Sequence, residues 1–434
     1  MNKTIKKVFD FRSHELPVAL LLFAFFFLAI AVFQILKPLK NGLFIEKYGA
    51  DLELYAKLGN IVVAAIAMTV FTFLYNKMRR QHLIYALSLF FVASFLFFIY
   101  ALAEPGPVPI WSFYFLSDLV STFMVVAFWA YATDLASPDQ AKRLFGVAGA
   151  GGVIGGWAGS YFAKTLLKTI GMEGLLVLSA ALMAGIILVT FLTELLVRRA
   201  DVFRKDTDPK TRDKSAAKGD EKNAAIEGAR LVMSSKYLAA IVGIMAFYEV
   251  ASQVMDYQFK QGTEKLFGAT ETQAFMANVY FWANSLSVFV QFFLVSFLMK
   301  NFSLVVPLLI LPLAITGGSA AFVMAPTLAV ASFLVISENG LNYSLQQTAR
   351  ESLYAPTSPD DKYKARAFTN MFVQRFAKGL AIFVVMGLAV FGLDVRYLSL
   401  VTIAVVIPWI LCSIYAGRQF SQKSEATEQD PKAA

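Results

Sequence analysis

Five charged side chains fall well inside long apolar stretches of this sequence. They are Asp118, Glu249, Glu338, Arg375 and Lys378. An ionised side chain at the centre of a membrane-spanning helix costs roughly 2.5–3.5 kcal/mol, so such groups usually face an aqueous cavity or an oppositely charged partner. Arg375 and Lys378 are three residues apart and would share a helix face, where two cations need a carboxylate or an anionic ligand. The charges therefore predict either internal ion pairs that only brace the protein or a polar cavity that binds a charged solute.

Other kinds of chemistry find no support in the sequence. No Gly-rich loop ends in Gly-Lys-Ser/Thr, so we do not expect ATP-driven pumping by this chain alone. The two histidines, His14 and His82, lie near the ends of apolar stretches, and Cys412 is the only cysteine. We therefore expect no metal site, no disulfide, no cofactor and no enzymatic activity.

The composition indicates which elements must hold the buried charges. The chain has 434 residues, of which 58% are hydrophobic and 16% are charged. Soluble proteins are about 45–50% apolar and about 25% charged, so this composition excludes a soluble enzyme, a disordered chain and a collagen-like fibre. Because a spanning helix needs about 20 apolar residues, the chain has room for roughly twelve. The net charge of +9 is expected of positive cytoplasmic loops and does not indicate nucleic acid binding.

Twelve apolar runs give the predicted spans, numbered here in chain order. The first follows three lysines, as a signal peptide does, but it is too long for one and we interpret it as an uncleaved helix. Lys and Arg in the short loops alternate onto one side, together with both termini, which assigns that side to the cytoplasm. Positive charges on the opposite side are exceptions: Lys37, Lys40, Lys47, Lys260 and Lys265. The spans are 16–36, 55–76, 83–103, 110–132, 145–166, 174–197, 237–259, 276–298, 303–325, 327–349, 368–392 and 395–416.

Glycines recur every three or four residues along the fifth span. A nucleotide-binding fingerprint would need glycine in place of Ile154, so the spacing instead favours close packing of this helix through small residues. The glycines are Gly146, Gly149, Gly151, Gly152, Gly155, Gly156 and Gly159.

The two halves of the chain repeat one another at an offset of about 220 residues. Asp118 in the fourth span is matched by Glu338 in the tenth, and three short motifs recur at the same offset: Lys40-Asn41-Gly42 as Lys260-Gln261-Gly262, Tyr48-Gly49-Ala50 as Phe267-Gly268-Ala269, and Ser137-Pro138-Asp139 as Ser358-Pro359-Asp360. Six plus six helices joined by a charged linker describe the major facilitator architecture, whose halves are parallel repeats around a midplane site. The sequence thus predicts an all-α polytopic membrane protein with 12 transmembrane helices in this fold. Its parts are a six-helix half at 1–197, a cytoplasmic linker at 198–236, a second half at 237–417 and a cytoplasmic tail at 418–434.

Several stretches resemble the ATP/ADP translocase type of nucleotide transporter, which is found in plastids and intracellular bacteria. The resemblance is carried by a Tyr-x-Pro, an acidic pair, a Lys-x-Lys and an Arg-x-x-Lys-Gly in the family's order. These are found in Ser352 to Pro356, Asp360 to Arg366 and Gln374 to Gly379, with further matches at Phe128 to Asp134, Ala141 to Arg143 and Tyr248 to Val250. This chain is identified as a divergent member of that family within the major facilitator superfamily.

The resemblance implies roles for charges that match the family's two lysines and two glutamates. Glu249 and Lys378 match directly, and Asp118 falls at a family glutamate if a one-residue gap is allowed. Lys40 is the best match to the remaining lysine, with Lys57 as a substitute. The family surrounds that lysine with Arg, Asp and Asp, whereas this chain reads Leu36 to Asn41 without a carboxylate, which bears on whether ATP and ADP themselves are recognised.

These observations leave three functional hypotheses. The first is a secondary antiporter that exchanges nucleotides, with phosphates held by Lys40, Arg375 and Lys378, while Asp118 and Glu249 pair with those cations or read the base and ribose. The second is a proton-coupled carrier for a drug, a lipid or an organic anion, in which Glu338 would join the two acids as a proton site. The third is a membrane scaffold or sensor that transports nothing. We expect a monomer in the lipid bilayer of a bacterial plasma membrane.

Overall fold

The computed structural model describes residues 15–136, 138–199, 221–267, 269–357, 365–366, 368–369, 373–390 and 394–429. These residues are almost entirely helical, and no strand occurs among them. In chain order the helices are α1 Leu16–Lys77, α2 Arg80–Ala101, α3 Pro107–Leu135, α4 Pro138–Arg199, α5 Glu221–Ser234, α6 Lys236–Leu266, α7 Ala269–Phe289, α8 Val295–Asn301, α9 Val305–Met324, α10 Leu328–Leu341, α11 Gln347–Ser352, α12 Gln374–Val390 and α13 Leu398–Gln429. Two π-helical turns, Val290–Leu294 and Asn342–Gln346, join α7 to α8 and α10 to α11.

Eight helices in the described part of the chain are long and apolar enough to cross a membrane. Two of them, α1 and α4, have 62 residues each and are interrupted at Gly49 and Gly171, whose φ angles are 79° and 68°. Each of these long helices therefore contains two of the predicted spans. The α-helical, multi-pass membrane fold is confirmed, whereas the count of twelve spans remains a prediction.

The loop expected after the first span is helical in the structure. Residues 37–48 continue α1 through Pro38, and a kink occurs only at Gly49. A proline in the first turn of a helix removes no backbone hydrogen bond, whereas a proline inside a helix removes one. Pro38 therefore favours a helix break at this point when the sequence is considered alone. Lys40 thus lies on a helix and is buried, as is Lys260 in α6, although both are exceptions to the positive-inside pattern.

The helices form two compact units. The first comprises Met1–Lys47, Val62–Arg212 and Gly268–Phe281, and the second comprises Tyr48–Ile61, Asp213–Phe267 and Trp282–Ala434. The division of the chain into 1–197, 198–236, 237–417 and 418–434 remains a prediction. Residues 48–61 come from the first half of the sequence but belong to the second unit, and residues 268–281 come from the second half but belong to the first unit.

In the first unit, α4 packs against α1 through its glycines. A Cβ atom at Gly151, Gly155 or Gly159 would lie 2.3–2.4 Å from the backbone oxygen of Phe23, Phe27 or Ala31, respectively. The four-residue spacing on both helices keeps the two backbones in contact along one seam. The prediction of close packing is confirmed for these glycines, whereas a Cβ atom added at Gly146 or Gly149 would meet nothing within 4 Å.

In the second unit, residues 48–61 of α1 pack on α6, α12 and α13. The buried side chains of this cluster are Ala50, Leu54, Val254, Tyr257, Ile382, Val385 and Leu398. A helix with one apolar face buries it against neighbouring helices, as these residues do.

Parts of the predicted linker and tail are helical. The helix α5 lies in the interval assigned to the linker, and α13 continues to Gln429, well into the interval assigned to the tail. Residues 200–220, 358–364 and 430–434 lie outside the described residues, and with them the basic residues Lys362 and Lys364 and the repeat motif at 358–360.

Candidate functional site

The first candidate site joins two of the predicted residues, Lys40 and Asp118. The Lys40 Nζ atom lies 2.5 Å from Asp118 Oδ1, and the two side chains are 7% and 26% exposed. The same ammonium lies 4.3 Å from the ring centroid of Tyr114, one turn before Asp118 on α3. The structure thus brings together an α1 cation and an α3 carboxylate 78 residues apart, with an aromatic face beside them.

A second lysine of α1 contacts another aromatic ring in the same unit. The Lys37 Nζ atom lies 4.3 Å from the centroid of Tyr280, and Asn41 Nδ2 donates a 3.2 Å hydrogen bond to the Tyr280 hydroxyl. Tyr114 and Tyr280 are not among the predicted site residues. No spacing in the sequence links them to the lysines, because they lie on α3 and α7.

In the second unit, Glu249 is held by α12. Gln374 Nε2 donates a 3.0 Å hydrogen bond to Glu249 Oε1, and the positive charges of Lys378 and Arg350 act on the same carboxylate. Glu249 is 6% exposed, so few water molecules can compete with these partners. The positive charge of Lys378 thus acts on Glu249, whereas Gln374 and Arg350 are additions that the sequence does not indicate.

Arg375 lies apart from this group. Its side chain is exposed, next to Phe376, which is 74% exposed. Among the described residues, no hydrogen bond or ion pair joins Arg375 to another side chain. Arg375 is thus exposed whereas Lys378 is partly buried, and the shared anion expected for the two cations remains a prediction.

Glu338 lies in a buried polar cluster of α6 and α10. It accepts hydrogen bonds from the Tyr248 hydroxyl, from Ser252 Oγ at 3.1 Å and from Asn339 Nδ2 at 2.5 Å. Asn342 Nδ2 donates to the Tyr248 hydroxyl at 2.8 Å, where the π-helical turn begins. Such turns are frequent at functional sites.

Four charged side chains form a network in the second unit, in which Lys57, Glu53 and Lys260 are buried and Asp256 is partly exposed. Lys260 Nζ lies 2.6 Å from Glu53 Oε1 and 2.8 Å from Asp256 Oδ2, and Lys57 Nζ lies 2.6 Å from the same Asp256 atom. Gln253 Oε1 accepts a further bond from Lys57 at 3.2 Å. Of the four, only Lys57 is a candidate from the sequence. Glu53 and Asp256 lie near predicted helix ends, where charges are common, and Lys260 is indicated only as the repeat of Lys40 and as an exception to the positive-inside pattern.

The described part of the stretch that carries the resemblance forms a braced turn after α11. The Tyr237 hydroxyl donates a 2.5 Å hydrogen bond to the Leu353 carbonyl, and Arg366 pairs with Glu351 at 2.6 Å. The Arg366 guanidinium also lies 5.1 Å from the Tyr354 ring. Burial raises the pKa of the Tyr354 hydroxyl, which therefore stays neutral. The tyrosine of the Tyr-x-Pro motif thus helps to hold the turn that follows α11.

Comparison with known proteins agrees with the resemblance. The model of the TLC ATP/ADP transporter family matches residues 1–104 and 108–332. The ADP,ATP carrier protein 1 of Chlamydia trachomatis is 24% identical, with 96% of this chain and 91% of that protein aligned. The plastidic ATP/ADP-transporter of Solanum tuberosum is 23% identical, with 92% of this chain and 72% of that protein aligned.

Solved transporter structures share the fold. The bacterial homologue of the human lysosomal transporter Spinster has a TM-score of 0.60 at 14% identity, with 95% of this chain and 99% of that chain covered. The nucleoside transporter NupG has a TM-score of 0.60 at 13% identity, with 92% and 99% covered. These neighbours establish the major facilitator fold, and the family model covers well over half of the residues. The chain belongs to the TLC ATP/ADP transporter family.

Proposed function

We propose that this protein exchanges nucleotides across a membrane as a secondary transporter that works by alternating access. The observation that carries the proposal is the Lys40–Asp118 pair, a cation and a carboxylate inside two candidate spans of a chain from a nucleotide transporter family. A buried ammonium is a costly group to keep unless it has an anionic partner. A phosphorylated anion is such a partner and would compete with Asp118 for the Lys40 ammonium.

The second unit offers a matching set of groups. The charges of Lys378 and Arg350 act on Glu249, and Gln374 donates a hydrogen bond to it. A phosphate that approaches these cations would compete with Glu249 for them, because phosphate oxygens accept strong charge-assisted hydrogen bonds. The amide of Gln374, once released, can serve a ribose hydroxyl or a base edge.

Exchange follows from the same pairs. If a nucleotide leaves and no other enters, each lysine must find its own carboxylate before the protein reorients. Reorientation without nucleotide is slow because it must wait for this re-pairing, which a bound counter-substrate makes unnecessary. The proposal therefore favours exchange over one-way transport.

The segment Leu36 to Asn41 bears on the choice of nucleotide. It carries two lysines and no carboxylate, and its Asn41 amide is engaged by Tyr280. A segment with more positive charge favours substrates with more phosphate charge. We propose ATP and ADP as the first substrates to test, with nucleoside monophosphates as the contrast.

The remaining features of the proposal concern the setting. We propose a monomer in a bacterial plasma membrane with both termini in the cytoplasm. The alternation of Lys and Arg among the loops supports this orientation.

The test is uptake of radiolabelled ADP into proteoliposomes that contain the purified protein. We expect uptake to rise severalfold when the vesicles are loaded with unlabelled ATP or ADP, and to be unaffected by an imposed proton gradient. Uptake independent of internal nucleotide would contradict exchange. Uptake driven by the proton gradient without internal nucleotide would instead support the proton-coupled hypothesis, and no nucleotide uptake under any condition would reject the substrate class.

A further inference from the structure

The π-helical turn after α10 carries two buried side-chain amides with unsatisfied atoms. The turn begins at Asn342 and ends at Gln346, and these residues are 8% and 1% exposed. Asn342 Oδ1 and both polar atoms of the Gln346 side chain have no hydrogen-bond partner in the part of the chain that the structure describes. Buried polar side-chain atoms are nearly always bonded to protein, water or an ion, so this pair of amides requires an explanation.

A carboxylate lies one turn before the first of these amides. Glu338 precedes Asn342 by four residues, as Asn342 precedes Gln346, and helical residues four apart lie on the same face. Asn342 Nδ2 donates a 2.8 Å hydrogen bond to the Tyr248 hydroxyl of α6, which itself donates to Glu338 Oε1. Because its nitrogen is bonded to Tyr248, Asn342 has only its oxygen to offer to a ligand. Three oxygen-bearing side chains thus follow one another along α10 and the π-helical turn.

The Glu338 carboxylate receives hydrogen bonds from neutral groups. Ser252 Oγ donates to Oε1 at 3.1 Å and Asn339 Nδ2 donates to Oε2 at 2.5 Å, in addition to the bond from Tyr248. These donors add no positive charge to the site. Each hydroxyl oxygen also has lone pairs that can face a cation while its proton points to the carboxylate. The cluster therefore combines one negative charge with several neutral oxygen ligands.

The cluster is not sealed inside the second unit. Ser252 and Asn339 both contact Glu338 and are partly exposed, and Glu338 itself is 6% exposed. A small ion can therefore approach past either side chain and meet the carboxylate before it meets the two amides. Attraction by the carboxylate charge favours a cation over an anion at this entrance.

We propose that Glu338, Asn342 and Gln346 bind a monovalent cation such as Na⁺ next to α6. The carboxylate supplies the negative charge, Asn342 Oδ1 and Gln346 Oε1 supply neutral oxygen ligands, and Gln346 Nε2 donates to a water molecule carried by the ion. Hard cations prefer such oxygen ligands, and the number of charged ligands tunes the site to the ion. One carboxylate balances one positive charge, which favours a monovalent ion. The site is separate from the proposed nucleotide contacts and does not depend on which solute is transported.

A bound cation explains three features of this region together. It neutralises a carboxylate within the predicted tenth span, where an ionised group is costly. It provides a ligand for the amide oxygens at both ends of the π-helical turn, and turns of this kind are frequent at functional sites. Because Glu338 and its donors Tyr248 and Ser252 lie on two helices, the ion also stabilises the contact between α10 and α6.

The test is equilibrium binding of radioactive sodium to the purified full chain in detergent, with choline chloride to keep the ionic strength constant. We expect saturable binding of about one ion per protein, displaced by unlabelled NaCl but not by choline. NaCl well above the dissociation constant should also raise the melting temperature by about 1–3 °C relative to choline chloride.

Two outcomes of these measurements would contradict the proposal. If neither NaCl nor KCl differs from choline chloride in displacing the label or in raising the melting temperature, the cation site is overturned. If CaCl₂ displaces the label at lower concentrations than NaCl does, the assignment of a monovalent ion is overturned.

The variants are Glu338→Gln, Gln346→Ala and the matched control Gln347→Ala. Gln347 follows Gln346 in the chain, but its side chain is exposed. We expect Glu338→Gln to abolish both saturable sodium binding and the rise in melting temperature, because it removes the charge and keeps the shape of the side chain. Gln346→Ala should weaken sodium binding about tenfold, and Gln347→Ala should bind sodium as the parent does.

Folding of each variant is checked by its size-exclusion profile in choline chloride. If Glu338→Gln does not fold, Asn342→Ala replaces it, with an expected loss of sodium affinity of about tenfold. Sodium binding retained in Glu338→Gln, or in Asn342→Ala where that replaces it, would overturn the proposed site. Equal sodium affinities for Gln346→Ala and Gln347→Ala would overturn the assignment of Gln346 as a ligand.

Discussion

The glycine seam between α4 and α1 predicts that Gly155→Ala destabilises the protein. The added Cβ would lie 2.3 Å from the Phe27 carbonyl oxygen and 2.8 Å from its Cα atom. Real Cβ contacts essentially never fall under 3.0 Å, so the two backbones must separate by about 0.7 Å at this point. Because Gly151 and Gly159 make similar contacts one turn away on each side, the separation loosens them too.

The cost of such overpacking is typically about 1–3 kcal/mol. Alanine has a higher helix propensity than glycine by up to about 1 kcal/mol, which offsets part of it. We expect the melting temperature of the detergent-solubilised protein to fall by about 1–3 °C, as measured by tryptophan or dye fluorescence.

The matched control is Gly149→Ala on the same helix. A Cβ at Gly149 meets nothing within 4 Å, so the same change in helix propensity occurs without a clash. The control should therefore melt at or above the parent's temperature. Equal melting of Gly155→Ala and Gly149→Ala would refute the reasoning, since propensity alone would then account for both variants.

Three further predictions concern the site and the kinks. Lys40→Gln should lower the rate of ADP exchange about tenfold to a hundredfold, which is the equivalent of one charge-assisted hydrogen bond of about 1.5–3 kcal/mol. The control Lys47→Gln should exchange ADP at the parent's rate, because the Lys47 side chain is 43% exposed. Equal exchange rates for the two variants would argue against the Lys40 site. Arg375→Gln should keep at least half of the exchange activity, because the Arg375 side chain is exposed. A larger loss in the uptake assay would indicate that Arg375 does contact the substrate. Gly49→Ala should lower the free energy of unfolding, measured by urea denaturation, by about 1–3 kcal/mol. The reason is that the φ and ψ angles of Gly49, 79° and 167°, are available to glycine almost alone. Unaltered stability would show that the backbone at this kink relaxes to accommodate alanine.

The sequence predicts correctly that the protein is an α-helical membrane protein of a transporter family. Apolar runs of spanning length are a strong signal, and the repeat at 220 residues indicates two related halves. The glycine spacing in the fifth span also predicts the packing of Gly151, Gly155 and Gly159 correctly. These features depend on local composition and periodicity, which a single sequence records directly.

The candidate site is harder to predict because its pairs are distant in sequence. Lys40 and Asp118 are both candidates, but nothing in the sequence indicates that they form one ion pair. The predicted seventh span ends one residue before Lys260 and so leaves it in a loop, whereas α6 extends to Leu266 and buries it. The three-residue spacing groups Arg375 with Lys378 on one helix. Which of the two side chains is buried depends on the helices that pack against α12, and the spacing does not reveal those helices.

The contact between residues 48–61 of α1 and α6 has a consequence for biosynthesis. Lys260 and Glu53 are separated by 207 residues, so the ribosome completes Glu53 long before its partner exists. At about 5–20 residues per second, the interval is about 10–40 s. During that time, Asp51, Glu53 and Lys57 lack their partners on α6, in a chain that is already entering the bilayer. The first half expressed alone should therefore keep this part of α1 outside the bilayer, where added proteases can cleave it.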